Sequence, residues 1–267
     1  MSPFQLNDPG SSFHDLLQSQ YPQLFLGRSE ALPTGSDQQK LLQSVPHGTT
    51  ILSLKYRDGV LICGDRRATE GYTISERRIE KVFKTDKTSA MAISGAAGPC
   101  IDMARLFQVE LEHYEKLEGT LLSMEGKANK LAQMIKANLP MAMQGLVVVP
   151  IYAGYDLKRK MGRIFKFDIA GGRYEERDYY STGSGGRDAK ATLKRLYTSD
   201  LSSEDATRVA LEAIYDAAEA DVATGGPDML RNIFPNVKLI SKSGVEDVSD
   251  ETVKTIYETM MSELGGR

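Results

Sequence analysis

From Thr49 onward, apolar and polar positions alternate in short runs punctuated by glycine, and further along the spacing changes from period two to helical. TTILSLKY reads as a strand, Asp58-Gly59 as a hairpin turn and VLICGD as the returning strand. Residues 81–84 and 89–96 read as another strand pair. Helices are predicted over 98–117 and 123–144, where Ile101, Ala104 and Leu111, then Ala128, Leu131, Ile135 and Leu139, fall at helical spacing. Their heptads are too brief for a coiled coil. Strands resume at 146–155, 162–168 and 174–181, the last two joined at Gly171-Gly172. Helices at 187–197 and 203–222, a strand at 237–243 and a helix at 250–264 complete the pattern. This order suits sheets covered by paired helices on both sides. No internal repeat is visible.

Residues 1–48 break that pattern. They hold seven of the ten glutamines and five of the ten prolines, carry six charged residues, and have no sustained hydrophobic period. Only Phe13, Leu16, Leu17, Leu24 and Phe25 could form a short apolar face. The segment reads as an extension rather than a domain, with the globular part beginning at 49.

Composition narrows the function classes. The chain of 267 residues has 33 basic and 36 acidic side chains, a net charge of −3, which argues against binding nucleic acid or an anionic membrane through bulk charge. The longest apolar stretch, Leu146 to Ala153, is interrupted by Pro150 and falls far short of the roughly 20 residues of a membrane span. Met1 to Gly10 does not read as a signal peptide. Two cysteines, Cys63 and Cys100, cannot make a disulfide framework, and a cytoplasmic protein is the simplest expectation.

Residue inventory excludes several chemistries. Of the three histidines only His113 lies in the globular part, on the Glu-rich side of a predicted helix, so histidine-based catalysis and a metal site are both disfavoured. Cys63 and Cys100 sit among apolar neighbours and read as small buried hydrophobes. The glycine clusters GAAG and GSGG lack the Lys-Ser/Thr of a phosphate loop, and no cofactor is implied. The basic run at 157–160 reads as a solvated turn. One route to a nucleophile without histidine is an N-terminal threonine whose own α-amine is the base. His47-Gly48-Thr49-Thr50 is where such a residue could be exposed: Gly48 lets the preceding peptide fold tightly, and the β-branch of Thr49 restricts the aim of its hydroxyl. Gly-Thr-Thr at a strand start is equally explained by strand propensity.

Four segments in order carry a family resemblance: GTTILSLKYRDGVLICGDRRAT, the lysine of IEKVFK, AISGAAG, and STGSGG followed by EADVATGG. Across residues 48–243 the sequence resembles the bacterial proteasome β-subunit family. The resemblance implies the α+β N-terminal-nucleophile hydrolase fold, a four-layer αββα sandwich of two antiparallel sheets covered by helix pairs. It implies a threonine endopeptidase, with residues 1–48 a prosegment removed by autocleavage between Gly48 and Thr49. By position, Thr49 resembles the nucleophile, Lys81 the buried lysine that favours loss of the hydroxyl proton, and Asp65 its carboxylate partner. Ser184 and Asp221 resemble the residues that orient the amine and its water, and Gly95 the oxyanion donor. Thr224 stands where the family usually has serine. Thr69 and Ala97 match main-chain contacts to an extended peptide, and Ala68, Ile79, Phe83 and Ile93 match pocket positions, none charged, which implies apolar specificity. Taken singly, Asp65 and Lys81 read equally as an ordinary ion pair, Gly95 and Ser184 as turn residues, Asp221 as a helix-end carboxylate, and Ile79 and Ile93 as core.

The resemblance further implies assembly with α subunits and other β subunits in stacked seven-membered rings, an ATPase ring as regulator, and unfolded proteins as substrates. Two other readings are the simpler ATP-dependent bacterial peptidase of the same superfamily, whose chains are shorter and lack a long prosegment, and a structural ring subunit without activity. Retention of Thr49, Asp65 and Lys81 argues against the last.

Overall fold

The computed structural model describes residues 48–71 and 73–265. The proposed extension, with its apolar positions from Phe13 to Phe25, lies outside the described residues apart from Gly48.

The first hairpin pairs β1 (Thr50–Tyr56) with β2 (Gly59–Gly64), Ile51 opposite Gly64 and Tyr56 opposite Gly59. Its turn is therefore Arg57-Asp58, one residue earlier than expected, and Gly59 opens the second strand. A Cβ on Gly59 would stand 2.0 Å from the Ile240 carbonyl oxygen, so neighbouring backbone occupies its side-chain space. β3 (Ala68–Glu70) and β4 (Thr73–Glu76) form a separate two-stranded ribbon. β5 (Val82–Asp86) and β6 (Ser89–Gly95) make the second expected pair. α1 (Ala97–Glu118) ends on Gly119 in the left-handed region, and α2 (Met124–Ala137) is capped by Ser123, whose Oγ accepts the Gly126 N–H. The helix expected to reach 144 stops at Asn138 and is followed by the single turn α3 (Leu139–Ala142), where Pro140 has no N–H to continue the ladder.

β7 (Val148–Asp156) and β8 (Met161–Phe167) enclose the basic turn, which is exposed as expected. The strand expected over 174–181 is two strands, β9 (Arg173–Glu176) and β10 (Tyr179–Gly183), and they belong to different sheets. Between them the chain crosses from one sheet to the other at Arg177-Asp178, where the Lys55 N–H takes the Asp178 carbonyl. α4 (Gly186–Leu196) and α5 (Ser203–Ala220) follow. β11 (Asn236–Ser241) then turns back into β12 (Gly244–Asp247), a strand absent from the sequence reading, before α6 (Asp250–Gly265).

One sheet runs β10-β1-β2-β11-β12 and the other β5-β6-β7-β8-β9, with every recorded pairing antiparallel. Strand alternation sends side chains into separate apolar layers. Ile51, Val60, Ile62, Ala90, Ala92 and Ile151 meet between the sheets. Leu52, Leu54, Leu61 and Cys63 turn to the other face, against α4, α5 and α6. Met91, Ile93, Tyr152 and Phe165 pack against α1 and α2. Three apolar layers separating helix, sheet, sheet and helix make the αββα sandwich. Each fully buried Leu or Ile adds roughly 1.5–3 kcal/mol.

Candidate active site

Two strand-to-helix junctions from opposite sheets meet the start of β1. At one, β6 ends on Gly95 and α1 begins at Ala97; at the other, β10 ends on Gly183 and α4 begins at Gly186. Both glycines have positive φ, 126° and 100°. A Cβ at Gly183 would lie 2.0 Å from the Thr49 carbonyl oxygen, and one at Gly95 2.0 Å from that of Val147. Backbone packs so closely at these junctions that no side chain fits. Two helix N-termini thus lie next to Thr49, an arrangement that favours negative charge.

Asp65, at the end of β2, is fully buried and has all four acceptor positions filled. Its Oδ1 receives Lys81 Nζ at 2.7 Å and the Thr50 N–H at 2.8 Å. Its Oδ2 receives the Arg67 and Gly225 N–H groups, both at 2.9 Å. Lys81, also buried, places its three protons on Asp65, the Arg67 carbonyl at 2.5 Å and the Gly48 carbonyl at 3.0 Å. Burial lowers the pKa of this ammonium below its ordinary 10.5, while the Asp65 charge opposes that shift. Ion pair and backbone donors together make this buried charge tolerable.

Thr49 is buried, joined to Gly48 by the intact chain. Its hydroxyl donates to the Gly48 carbonyl oxygen at 2.5 Å, the same atom that receives Lys81 Nζ. Hydroxyl and ammonium are therefore less than about 6 Å apart whatever the angle between the two bonds, within the range of a strong charge effect. The Thr49 N–H donates to Ser184 Oγ at 3.3 Å, and its carbonyl accepts the Ser184 N–H at 2.8 Å.

Asp221 bonds the loop that follows it. Its carboxylate accepts the Thr224 hydroxyl at 2.6 Å and the Ala223 N–H at 3.2 Å. Thr224 in turn stands 2.6 Å from the Thr50 hydroxyl. Thr224 is fully buried, so the methyl that distinguishes it from serine is packed rather than exposed.

A cleft beside Thr49 is lined by Gly48, Ala68, Ile79, Lys81, Phe83, Ile93, Gly95 and Ala97, which brings together every expected pocket position. Ile93 lines the cleft and is also part of the core against α1. Thr69 is outside this lining but borders Gly48, since a Cβ there would meet its Oγ1 at 2.7 Å. The sequence reading missed Glu80, Cys100 and Ile101 in the same wall. Spacing could have found the last two, because Ala97, Cys100 and Ile101 stand at i, i+3 and i+4 on α1. Arg67, Gly225 and Thr50 were missed as partners of Asp65; an aspartate bonding the N–H two residues on is a common turn device, and GDRRAT contains it.

Residues 45–230 match the proteasome subunit family. The chain belongs to that family, whose subunits assemble with one another in rings. Among its relatives, the proteasome subunit beta of Acidimicrobium ferrooxidans is 53% identical over 250 residues, covering 94% of this chain and 89% of that one. The proteasome subunit beta of Acidothermus cellulolyticus is 49% identical over 265 residues, covering 97% and 90%. At that similarity over nearly the whole length, the chain is a catalytic β subunit, a protease of the hydrolase class. No described helix is long and apolar enough to cross a membrane.

Proposed function

We propose that the protein is a threonine endopeptidase whose nucleophile is Thr49, exposed when the chain cuts itself after Gly48. The observation that carries this reading is the shared Gly48 carbonyl, which takes a hydrogen bond from the Thr49 hydroxyl and another from Lys81. In self-cleavage the Thr49 oxygen attacks the Gly48 carbonyl carbon, the C–N bond breaks, and the resulting ester is hydrolysed by water. Residues 1–48 leave and the Thr49 nitrogen becomes an α-amine.

That amine, with an ordinary pKa of about 7.7–8, suits a proton acceptor near neutral pH. It takes the hydroxyl proton, the oxygen attacks the substrate carbonyl, and the proton passes to the departing amine. Lys81 favours the ionised hydroxyl by its charge, with Asp65 as partner. The Gly95 N–H faces the developing oxyanion, and Ser184 holds the Thr49 nitrogen. Asp221 and Thr224 act one layer behind. Ala68, Ile79, Phe83, Ile93 and Ala97 receive an apolar substrate side chain, and Thr69 and Ala97 pair with the substrate backbone. Stacked seven-membered rings with α subunits, an ATPase ring, unfolded protein substrates and a cytoplasmic setting complete the proposal.

The test is Thr49→Ala in the assembled particle. Full-length chain with no peptidase activity is expected; wild-type hydrolysis by the mutant would refute the nucleophile assignment.

A further inference from the structure

Thr50 bonds the Asp65 carboxylate directly and reaches the Asp221 carboxylate through one hydroxyl. Its backbone N–H donates to Asp65 Oδ1 at 2.8 Å. Its hydroxyl lies 2.6 Å from Thr224 Oγ1 and accepts the Gly185 N–H at 3.0 Å. Counting protons fixes the direction of the first contact. The Thr224 hydroxyl has one proton and donates it to Asp221 Oδ2 at 2.6 Å, so between the two threonines Thr50 is the donor. The chain runs from the Gly185 N–H to Thr50, to Thr224, to Asp221, and each hydroxyl accepts once and donates once. Both threonines are fully buried, so losing one link leaves its neighbours unpaired.

The consequence falls on Ser184, the residue before Gly185. Ser184 Oγ is the partner of the Thr49 N–H, and the Ser184 N–H holds the Thr49 carbonyl at 2.8 Å. Gly185 packs directly on the hydroxyl pair: a Cβ there would lie 2.5 Å from Thr50 Oγ1 and 2.7 Å from Thr224 Oγ1. The β-branch of Thr50 restricts its χ1 and so fixes where this support stands. Building on the threonine-peptidase reading, we infer that Thr50 is a positioning residue whose hydroxyl sets the Ser184-Gly185 turn, and with it Ser184 Oγ, against the Thr49 nitrogen. Ser184 itself is exposed, and among the described residues its Oγ bonds only Thr49, accepting from the Thr49 N–H and donating to the Thr49 carbonyl at 3.2 Å, so the turn behind it is what holds it in place.

Matured particles carrying Thr50→Val and Thr50→Ser test this. Valine keeps the branched shape and removes both hydrogen bonds of the hydroxyl; serine keeps the hydroxyl. Valine is expected to lower kcat by about tenfold or more, the effect of one or two lost buried hydrogen bonds, with little change in KM. It is also expected to move the acid limb of the kcat/KM profile, where the amine titrates, and serine to restore both. A purely structural role would reduce the assembled fraction and leave the pH profile in place, and that result overturns the inference. Where Thr50→Val does not assemble, Thr50→Ala removes the same two hydrogen bonds with a smaller side chain; a shifted acid limb supports the inference and an unchanged one overturns it. Thr49→Ala measured alongside separates the two levels, since activity there refutes the nucleophile and an unmoved Thr50→Val profile refutes only the positioning role.

Discussion

The Lys81 ammonium donates to the Gly48 carbonyl oxygen at 3.0 Å, filling the last of its three donor positions with the residue before the proposed nucleophile. The other two protons are held by Asp65 and the Arg67 carbonyl. If the bond after Gly48 is cut, only the Gly48 acceptor departs, leaving one ammonium proton facing the Thr49 hydroxyl. The uncut chain lacks the free amine and also has its lysine occupied.

Gly48→Ala is expected to block maturation. Gly48 has φ of +102°, and a Cβ there would lie 2.7 Å from both Ala223 Cβ and Thr69 Oγ1. An L side chain is thus strained by its backbone and crowded by its neighbours. Gel analysis after assembly with α subunits should show full-length chain accumulating; processing at the wild-type rate would contradict the account.

Lys81→Ala should abolish or severely slow peptide hydrolysis. Breaking a buried pair from one side costs roughly 3–5 kcal/mol, but Asp65 retains three backbone N–H donors, from Thr50, Arg67 and Gly225, and the chain should still fold. Because burial draws the lysine pKa below 10.5, and its charged form is the useful one, wild-type activity should decline on an alkaline limb below that pH. Normal turnover in an assembled Lys81→Ala particle would reduce the lysine to a structural ion pair.

Much of this was legible because strand alternation and the Gly-Thr-Thr, Gly-Asp-Arg-Arg and Ser-Gly-Ala-Ala motifs are local. Sheet membership is not: nothing in Arg173 to Gly183 marks the point where the chain leaves one sheet for the other. The strand Gly244–Asp247 was hidden because only Val245 in it is apolar, and its pairing with β11 is what orders it. In the site, Thr49, Lys81 and Asp65 converge as their motifs imply. Asp221 reaches Thr50 through the Thr224 hydroxyl, a relay between side chains that a motif does not encode.

Cleavage after apolar residues is expected, since Ala68, Ile79, Phe83, Ile93, Ala97 and Ile101 offer no partner to a buried charge. Glu80 also lines the cleft but is exposed. A fluorogenic peptide panel reads the preference directly. Fastest cutting after acidic or basic residues would contradict it.

Both cysteines should resist thiol reagents until the protein unfolds. Burial pushes the Cys100 thiol up to about 12, against the lowering effect of nearby Lys81, and pushes Cys63 up as well. Mass-spectrometric labelling of native particles at neutral pH should find neither modified; rapid labelling of Cys100 would show the cleft wall to be open.

The central claim is that Thr49 becomes the N-terminus. Intact mass and N-terminal sequencing of the chain after co-expression with a proteasome α subunit test it most directly. The account predicts a chain beginning Thr-Thr-Ile-Leu, without residues 1–48, and an active particle. An active particle whose chain still carries residues 1–48, or begins at any residue other than Thr49, would contradict it.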